Sequence, residues 1–180
     1  SLLLHDNKMG AEGMKAFSSG ITGLVNLREL YLGRNQIGDV GITSFAEALT
    51  PNANYPKGAL MSLQALYFDQ NEIGNTGMLA FSVAIGCQSL PNLERLQLDG
   101  NNIGDTSMIF FSQKISEFAL SKLLTFVIDG NKIGNAGMIA FAESLQRWSL
   151  PSLATVVVQY GHEDHIELGM ACMPRGITIL

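Results

Sequence analysis

Residues 93–105, with the sequence LERLQLDGNNIGD, change their hydrophobic period at a single point. Leu96 and Leu98 alternate with polar residues, which is the period of a strand that buries one face. Beyond Asn101 the period becomes helical, because the next apolar and small residues follow at the i, i+3, i+4, i+7 spacing of one buried stripe: Met108, Phe111, Ser112 and Ile115. The segment therefore predicts one strand, a turn at the asparagine and one helix.

The same pattern recurs along the chain at a nearly constant spacing. Its asparagines lie 28, 36, 30 and 30 residues apart, at Asn7, Asn35, Asn71, Asn101 and Asn131. The second spacing is longer because of residues 50–58, whose Pro, Asn and Gly content is typical of a surface loop. A fixed period of about thirty residues indicates a repeat protein in which each unit is one supersecondary element.

Two polar positions in each repeat have expected structural roles. The asparagine side chain can satisfy backbone groups at the turn that leaves each strand. Four residues later comes a residue type that favours a helix N-cap, and we expect it to cap the helix of its own repeat. These residues are Asp39, Asn75, Asp105 and Asn135.

The repeated pattern L-x-x-L-x-L-x-x-N-x-I-G-[DN]-x-G resembles the ribonuclease-inhibitor type of leucine-rich repeat. Residues 35–41 (NQIGDVG) and 101–105 (NNIGD) carry the resemblance most clearly. It implies an α/β fold, a right-handed solenoid or horseshoe of about six repeats, with parallel strands on the concave face and helices on the convex face. It also implies a non-enzymatic binding module that needs no cofactor.

The ends of the chain depart from the repeat pattern. We expect repeats over residues 1–160, with the array continuing upstream of residue 1, because Leu2 and Leu4 already stand in buried columns. Gly161 replaces the asparagine, and residues 161–180 are expected to form a degenerate last repeat that acts as a C-terminal cap. Within this cap the sequence predicts a helix over 166–173 and a strand over 177–180.

Charge and motif content exclude several classes of function. Eleven basic and sixteen acidic residues give a net charge of −5, which argues against a nucleic-acid partner. No apolar run reaches the ~18 residues of a membrane span. The sequence contains neither a phosphate-binding glycine motif nor a paired nucleophile and base. No asparagine opens an N-x-[ST] sequon, which favours an intracellular, cytoplasmic protein whose targeting signal, if present, lies upstream of residue 1.

Metal and thiol chemistry are also disfavoured. Cys87 and Cys172 lie far apart and form neither a disulfide framework nor a cysteine zinc motif. His162 and His165 stand three residues apart, but no motif supplies the remaining ligands of the about four that structural zinc uses. We therefore predict no metal and no cofactor.

The solvent-facing strand positions are the candidates for function, since the buried columns only build the scaffold. Asp69, Asp99 and Asp129 stand at equivalent positions, so parallel neighbours ~4.8 Å apart would align their carboxylates. Two interpretations of these aspartates stay open. They are either solvated consensus positions or a stripe that binds a protein partner with a basic surface. The second interpretation is favoured by the tyrosines beside the stripe, because exposed tyrosines are common at interfaces. The predicted partner-binding residues are Tyr31, Arg34, Tyr67, Asp69, Gln97, Asp99, Asp129 and Tyr160.

Three functions remain open on this basis. The leading hypothesis is a protein-protein interaction module or scaffold, because a solenoid offers an extended surface that suits large partners. A second is regulation of a GTPase, since repeats of this type also form Ran GTPase-activating proteins. A third is an architectural subunit of a large assembly, although charged residues at the outer helix positions indicate a solvated convex surface: Lys15, Glu47, Lys114 and Glu143.

Overall fold

The computed structural model describes residues 1–51, 59–115, 119–158 and 166–180, in which strands and helices alternate. The strands are β1 (Leu2–Leu3), β2 (Glu29–Tyr31), β3 (Ala65–Tyr67), β4 (Arg95–Gln97), β5 (Thr125–Val127), β6 (Thr155–Val157) and β7 (Thr178–Ile179). The helices are α1 (Gly10–Gly20), α2 (Gly38–Leu49), α3 (Asn75–Gly86), α4 (Asp105–Ile115), α5 (Asn135–Gln146) and α6 (Ile166–Cys172). Short 3₁₀ turns follow α1 at Ile21–Gly23 and α6 at Met173–Arg175.

The seven described strands form one parallel sheet in which spatial order equals chain order, from β1 to β7. Equivalent residues of successive repeats pair across it, so Leu30 lies beside Leu66 and Leu66 beside Leu96. Each parallel strand needs a crossover to reach the next, and the helices supply it. The predicted leucine-rich-repeat solenoid, with a strand layer and a helix layer, is confirmed.

A single apolar core fills the space between the sheet and the helices. Phe68, from the strand side, lies 5.3 Å from the ring of Phe45 in α2 and 6.0 Å from that of Phe81 in α3. Two repeats further along, Phe126 contacts the rings of Phe111 in α4 and Phe141 in α5, at 5.3 Å and 5.6 Å. The helical stripes predicted from sequence are buried here, and the phenylalanines at their centres are fully buried in α2 to α5: Phe45, Phe81, Phe111 and Phe141.

A ladder of asparagines joins consecutive repeats. The Nδ2 of Asn101 donates to the carbonyl oxygens of Phe68 in the preceding repeat and Leu98 in its own, both at 2.9 Å. Its Oδ1 accepts from the backbone N–H groups of Asn71 and Ile73, both at 3.0 Å. The same bonding to the preceding repeat recurs at Asn35, Asn71 and Asn131. The asparagines thus satisfy the buried turns.

Three of the four predicted N-cap residues, Asp39, Asn75 and Asp105, bond to the next repeat, and the prediction that they cap their own helices was wrong. Asp39 Oδ1 accepts from the N–H groups of Gly74 at 2.6 Å and Gly77 at 3.0 Å, at the start of α3. Asp105 holds the start of α5 in the same way, with both bonds 2.8 Å long. Because Asn75 and Asp105 are the first residues of their helices and Asp39 is the second of α2, their side chains reach the neighbouring helix instead.

Asn75, at the equivalent position one repeat after Asp39, accepts hydrogen bonds from a different pair of groups. Asn75 Oδ1 accepts from the N–H of Gly104 at 2.9 Å and from the hydroxyl of Ser107 at 2.7 Å. Ser107 stands where Gly77 stands in the preceding repeat, and a Cβ at Gly77 would lie 2.7 Å from Asp39 Oδ1. A carboxylate is therefore matched with glycine, and an amide with serine.

The last described elements correspond to the helix and strand predicted near the C-terminus. Leu168, Ala171 and Cys172 of α6 are buried at core positions that carry Met, Phe and Ala in α5. Gly176, with φ of 66°, ends the 3₁₀ turn, and β7 follows it. Gly161 and its neighbours at 159–165 lie outside the described residues. No helix in the described ranges is long and apolar enough to cross a membrane.

Candidate functional site

The solvent-facing strand residues form columns across the concave face because the strands pair in register. Tyr31 pairs with Tyr67, Tyr67 with Gln97, and Gln97 with Val127. These positions alternate along each strand with the buried leucine-type residues, so their side chains lie on the opposite side of the sheet from the core. The column is aromatic in β2 and β3 and becomes aliphatic at Val127 and Val157.

Tyr31 and Tyr67, hereafter the tyrosine pair, stack face to face. Their ring centroids are 4.2 Å apart and the planes differ by 7°. The Tyr31 hydroxyl donates to Glu29 Oε2 at 3.4 Å, and Arg95 Nη1 donates to the Tyr67 hydroxyl at 3.3 Å. The adjoining Tyr67 hydroxyl, burial and the Glu29 carboxylate raise the pKa of Tyr31 to about 12, so this phenol stays protonated at neutral pH.

Glu29 and Arg95 are site residues that the sequence analysis missed. Each lies two residues before a solvent-facing column residue of its strand, Tyr31 and Gln97 respectively. Strand side chains alternate with a period of two, so both belong to the concave face. That alternation is the signal that could have identified them, and they place one negative and one positive charge at the ends of the tyrosine pair.

Asp69, Asp99 and Asp129, hereafter the acidic column, each follow a strand by two residues. The parallel ladder continues past the strands, since Gln70 N–H donates to the Asp99 carbonyl and Gly100 N–H to the Asp129 carbonyl, both at 2.9 Å. Burial, and next the Asp99 carboxylate, raise the pKa of Asp69 and of Asp129. Carboxylates in this line therefore repel one another, although water screens the repulsion because the side chains are partly exposed.

The middle carboxylate has an unsatisfied oxygen. Asp99 Oδ1 is buried and has no hydrogen-bond partner among the described residues. Buried polar atoms normally have a partner, and leaving one without a partner costs about 1–3 kcal/mol. One oxygen at the centre of the acidic column is thus buried without a compensating donor among the described residues.

A cleft of about 280 Å³ opens beside the first residue of the acidic column. Its lining consists of His5, Asp6, Tyr31, Gly33, Arg34, Tyr67 and Asp69. Gly33 stands at the position equivalent to Asp69, and a Cβ on it would lie 2.7 Å from Asp69 Cγ. On the rim, Arg34 Nη1 is 4.0 Å from Asp6 Oδ1, and both side chains are more than half exposed. Such an exposed ion pair contributes little to stability.

The structure brings most of the predicted partner-binding residues together. The tyrosine pair, Gln97 and the acidic column share the concave face, and Arg34 lies at the rim of the cleft. Tyr160 lies outside the described residues. The sequence analysis assigned no role to His5, Asp6 or Gly33. The cleft that they line forms between neighbouring repeats, and the pattern of a single repeat does not show it.

Other chemistry finds little support in the described residues. They contain no group of three His, Cys, Asp or Glu side chains that could hold a metal ion, and His162 and His165 lie outside them. Cys87 is exposed and Cys172 is buried, both as free thiols. Burial raises the pKa of Cys172 to about 11, which keeps this thiol protonated and unreactive at neutral pH.

The convex surface is mixed. Lys15, Glu47 and Glu143 are exposed, as the sequence predicts for a solvated surface. In α6 and the 3₁₀ turn after it, however, an exposed apolar stripe replaces such residues: Ile166, Met170 and Met173, with 65%, 66% and 82% of their surface accessible. The sequence analysis missed this stripe, and its i, i+4, i+7 spacing on a short helix was the available signal.

Comparison with known families agrees with this geometry. A leucine-rich repeat family model matches residues 24–46, 59–82, 89–112 and 119–142, which together are more than half of the chain. Each matched segment contains one strand, one asparagine turn and the first part of one helix. Comparison with curated proteins found none that matches the chain. The chain therefore belongs to the leucine-rich repeat family.

Proposed function

We propose that the protein is a non-enzymatic interaction module whose concave strand face binds a partner protein with a basic surface. The observation that carries this proposal is the acidic column beside the tyrosine pair. Carboxylates in a line attract lysine and arginine side chains, and a stacked tyrosine pair supplies a rigid contact surface at low cost in side-chain entropy. The family match supports the coarser statement that the chain is an interaction module.

The energetics of the acidic column favour a cationic partner. Like charges ~4.8 Å apart repel by roughly 1 kcal/mol per pair in a solvent-like dielectric. The raised pKa values of Asp69 and Asp129 have the direction expected for such repulsion combined with burial. Lysine or arginine side chains from a partner would neutralise this repulsion.

We further infer that the repeats are of the ribonuclease-inhibitor-like type and that the protein works in the cytoplasm. The repeat type is supported by full helices of 11 or 12 residues in each of α1 to α5. Helices of this length on the outer side and short strands on the inner side give the outer side of the array a larger circumference than the inner side. The curvature that results presents the strand face as a concave surface suited to a protein partner.

A pull-down from cell lysate, with mass spectrometry of the retained proteins, tests the proposal. The test variant is Asp69→Asn/Asp99→Asn/Asp129→Asn, which removes three charges from the concave face and keeps side-chain shape. A matched control, Glu12→Gln/Glu47→Gln/Glu143→Gln, removes three exposed charges from the convex helices α1, α2 and α5.

We expect a protein that is retained by the wild type and the control and lost by the acidic-column variant. Because exposed charges are screened within ~8 Å at physiological ionic strength, its retention should also fall as salt is raised. Equal retention by the wild type and the acidic-column variant would contradict the proposal, as would loss with the convex control.

A further inference from the structure

The cleft over Gly33 has the size and chemistry of a site for one long cationic side chain. We propose that it binds a single arginine side chain of the partner protein, an inference that rests on the proposed function. The cleft lies where the tyrosine pair meets the first carboxylate of the acidic column. The cleft therefore lies at the N-terminal end of the proposed binding surface.

One side chain is missing from a regular column beside the cleft, and the Asp69 carboxylate lies in its place. His5, Gly33 and Asp69 occupy equivalent positions in three successive repeats, and only the middle one lacks a side chain. Its volume of about 280 Å³ falls just below the ~300–1,000 Å³ of small-molecule pockets. The space therefore suits one extended side chain better than a whole metabolite.

The Asp69 carboxylate lies directly over Gly33, at the edge of the cleft. A Cβ placed on Gly33 would collide with Oδ1 and Oδ2 alike, so the two oxygens lie side by side above the glycine. The one ion pair within the described residues joins Arg34 to Asp6 and leaves Asp69 without a salt-bridge partner. Asp69 lines the cleft, and a carboxylate matches the fork of two parallel N–H donors that a guanidinium offers and an ammonium does not.

The rest of the lining also favours a guanidinium. Tyr31 and Tyr67 form an aromatic wall, and arginine binds beside tyrosine rings more often than lysine does. Within this chain a guanidinium already contacts the pair from outside the cleft, at the hydroxyl of Tyr67, where Arg95 donates. Asp6, Asp69 and Arg34 give the lining two negative charges and one positive charge, so a single added cation neutralises it.

An NMR titration of the ¹⁵N-labelled protein with Nα-acetyl-L-arginine amide tests the inference. The uncharged, nearly isosteric Nα-acetyl-L-citrulline amide and the corresponding lysine amide are the matched probes. Two variants alter the site, Asp69→Asn by removing the charge and Gly33→Ala by placing a Cβ where the Asp69 carboxylate lies. Glu47→Gln, on the convex side of α2, controls for the loss of one negative charge.

We expect the arginine probe to shift the amide resonances of Gly33 and Asp69, with weaker binding of lysine and none of citrulline. Asp69→Asn should weaken arginine binding about tenfold, as loss of a charge-assisted hydrogen-bond pair does. Gly33→Ala should abolish it, and Glu47→Gln should leave it unchanged. Equal shifts with citrulline, or unchanged affinity in Asp69→Asn, would overturn the inference without depending on how Gly33→Ala folds.

The two proposals fail in distinguishable ways. If the arginine probe leaves the Gly33 and Asp69 resonances unmoved while the acidic-column variant still loses a retained protein, the arginine site is wrong and the concave binding face stands. If the probe binds as expected but the acidic-column variant retains the same proteins as the wild type, the cleft recognises arginine and the wider binding face is wrong.

Discussion

Asp39 and Gly77 are joined by a hydrogen bond of 3.0 Å although they stand 38 residues apart in different repeats. The same carboxylate oxygen accepts from Gly74, so one side chain holds two of the N–H groups that open α3. The first N–H groups of a helix have no partner within it, and a nearby carboxylate also interacts favourably with the helix dipole. Helix capping in this solenoid therefore stabilises the contact between two repeats as well as the helix.

The capping bond predicts a specific loss of stability. Asp39→Ala should lower the free energy of unfolding by about 1–2 kcal/mol, the cost of removing a helix cap. Urea unfolding followed by circular dichroism measures it. Glu12→Ala is the control, because Glu12 is an exposed acidic residue in the first turn of α1. Equal midpoints for the two variants would show that the bonds to Gly74 and Gly77 contribute nothing.

The asparagine ladder predicts a larger effect. Asn101→Leu removes bonds to three carbonyl groups and two N–H groups at the turns. Each buried group without a partner costs about 1–3 kcal/mol, so we expect a loss of several kcal/mol. Asp99→Asn, two residues earlier on the solvent side, keeps the asparagine ladder and relieves charge repulsion, so it should not lower the free energy of unfolding. Equal melting temperatures for the two variants would refute the structural role assigned to Asn101.

A buried serine should be replaceable with a gain in stability. Ser89 is fully buried and its hydroxyl has no hydrogen-bond partner among the described residues, whereas the equivalent positions carry the buried alanines Ala59 and Ala119. Ser89→Ala should therefore raise the free energy of unfolding by about 1 kcal/mol. In the control Ser82→Ala the lost hydroxyl donates to the Met78 carbonyl at 2.7 Å, so no gain is expected. Urea unfolding curves that order these two variants the other way would contradict the assignment.

The acidic column predicts a pH dependence of stability. The pKa values of Asp69 and Asp129 are raised in the folded state, so the folded protein holds their protons more tightly than the unfolded chain does. Their contribution to stability is favourable below the unfolded pKa and is lost as the pH rises through the folded pKa. The Asp69→Asn/Asp99→Asn/Asp129→Asn variant should therefore gain stability over the wild type at pH 7.

The gain of the acidic-column variant should shrink as the pH falls below the range in which these carboxyl groups titrate. Thermal unfolding of both proteins between pH 3 and pH 7 measures the difference, with the convex Glu→Gln triple variant as control. A constant difference across this range would show that the column's carboxylates do not interact in the folded state.

The sequence predicted the concave face better than the details of its site. Tyr31 and Tyr67 were placed beside Asp69, Asp99 and Asp129 because in-register repeats align equivalent positions. The contacts of the tyrosine pair with Glu29 and Arg95 were missed, since they run between neighbouring columns and neighbouring strands. The cleft was missed for a related reason, because its lining residues come from three repeats.

The sequence by itself determined the repeat, its strand, its turn and its helix, because hydrophobic periods of 2 and 3.6 residues are local properties of the chain. It also determined the asparagine ladder, whose members recur at one position of the pattern. The tertiary structure decided which helix Asp39 caps and where a cavity opens beside Asp69. Both depend on the lateral spacing and tilt between repeats, which the pattern of one repeat does not encode.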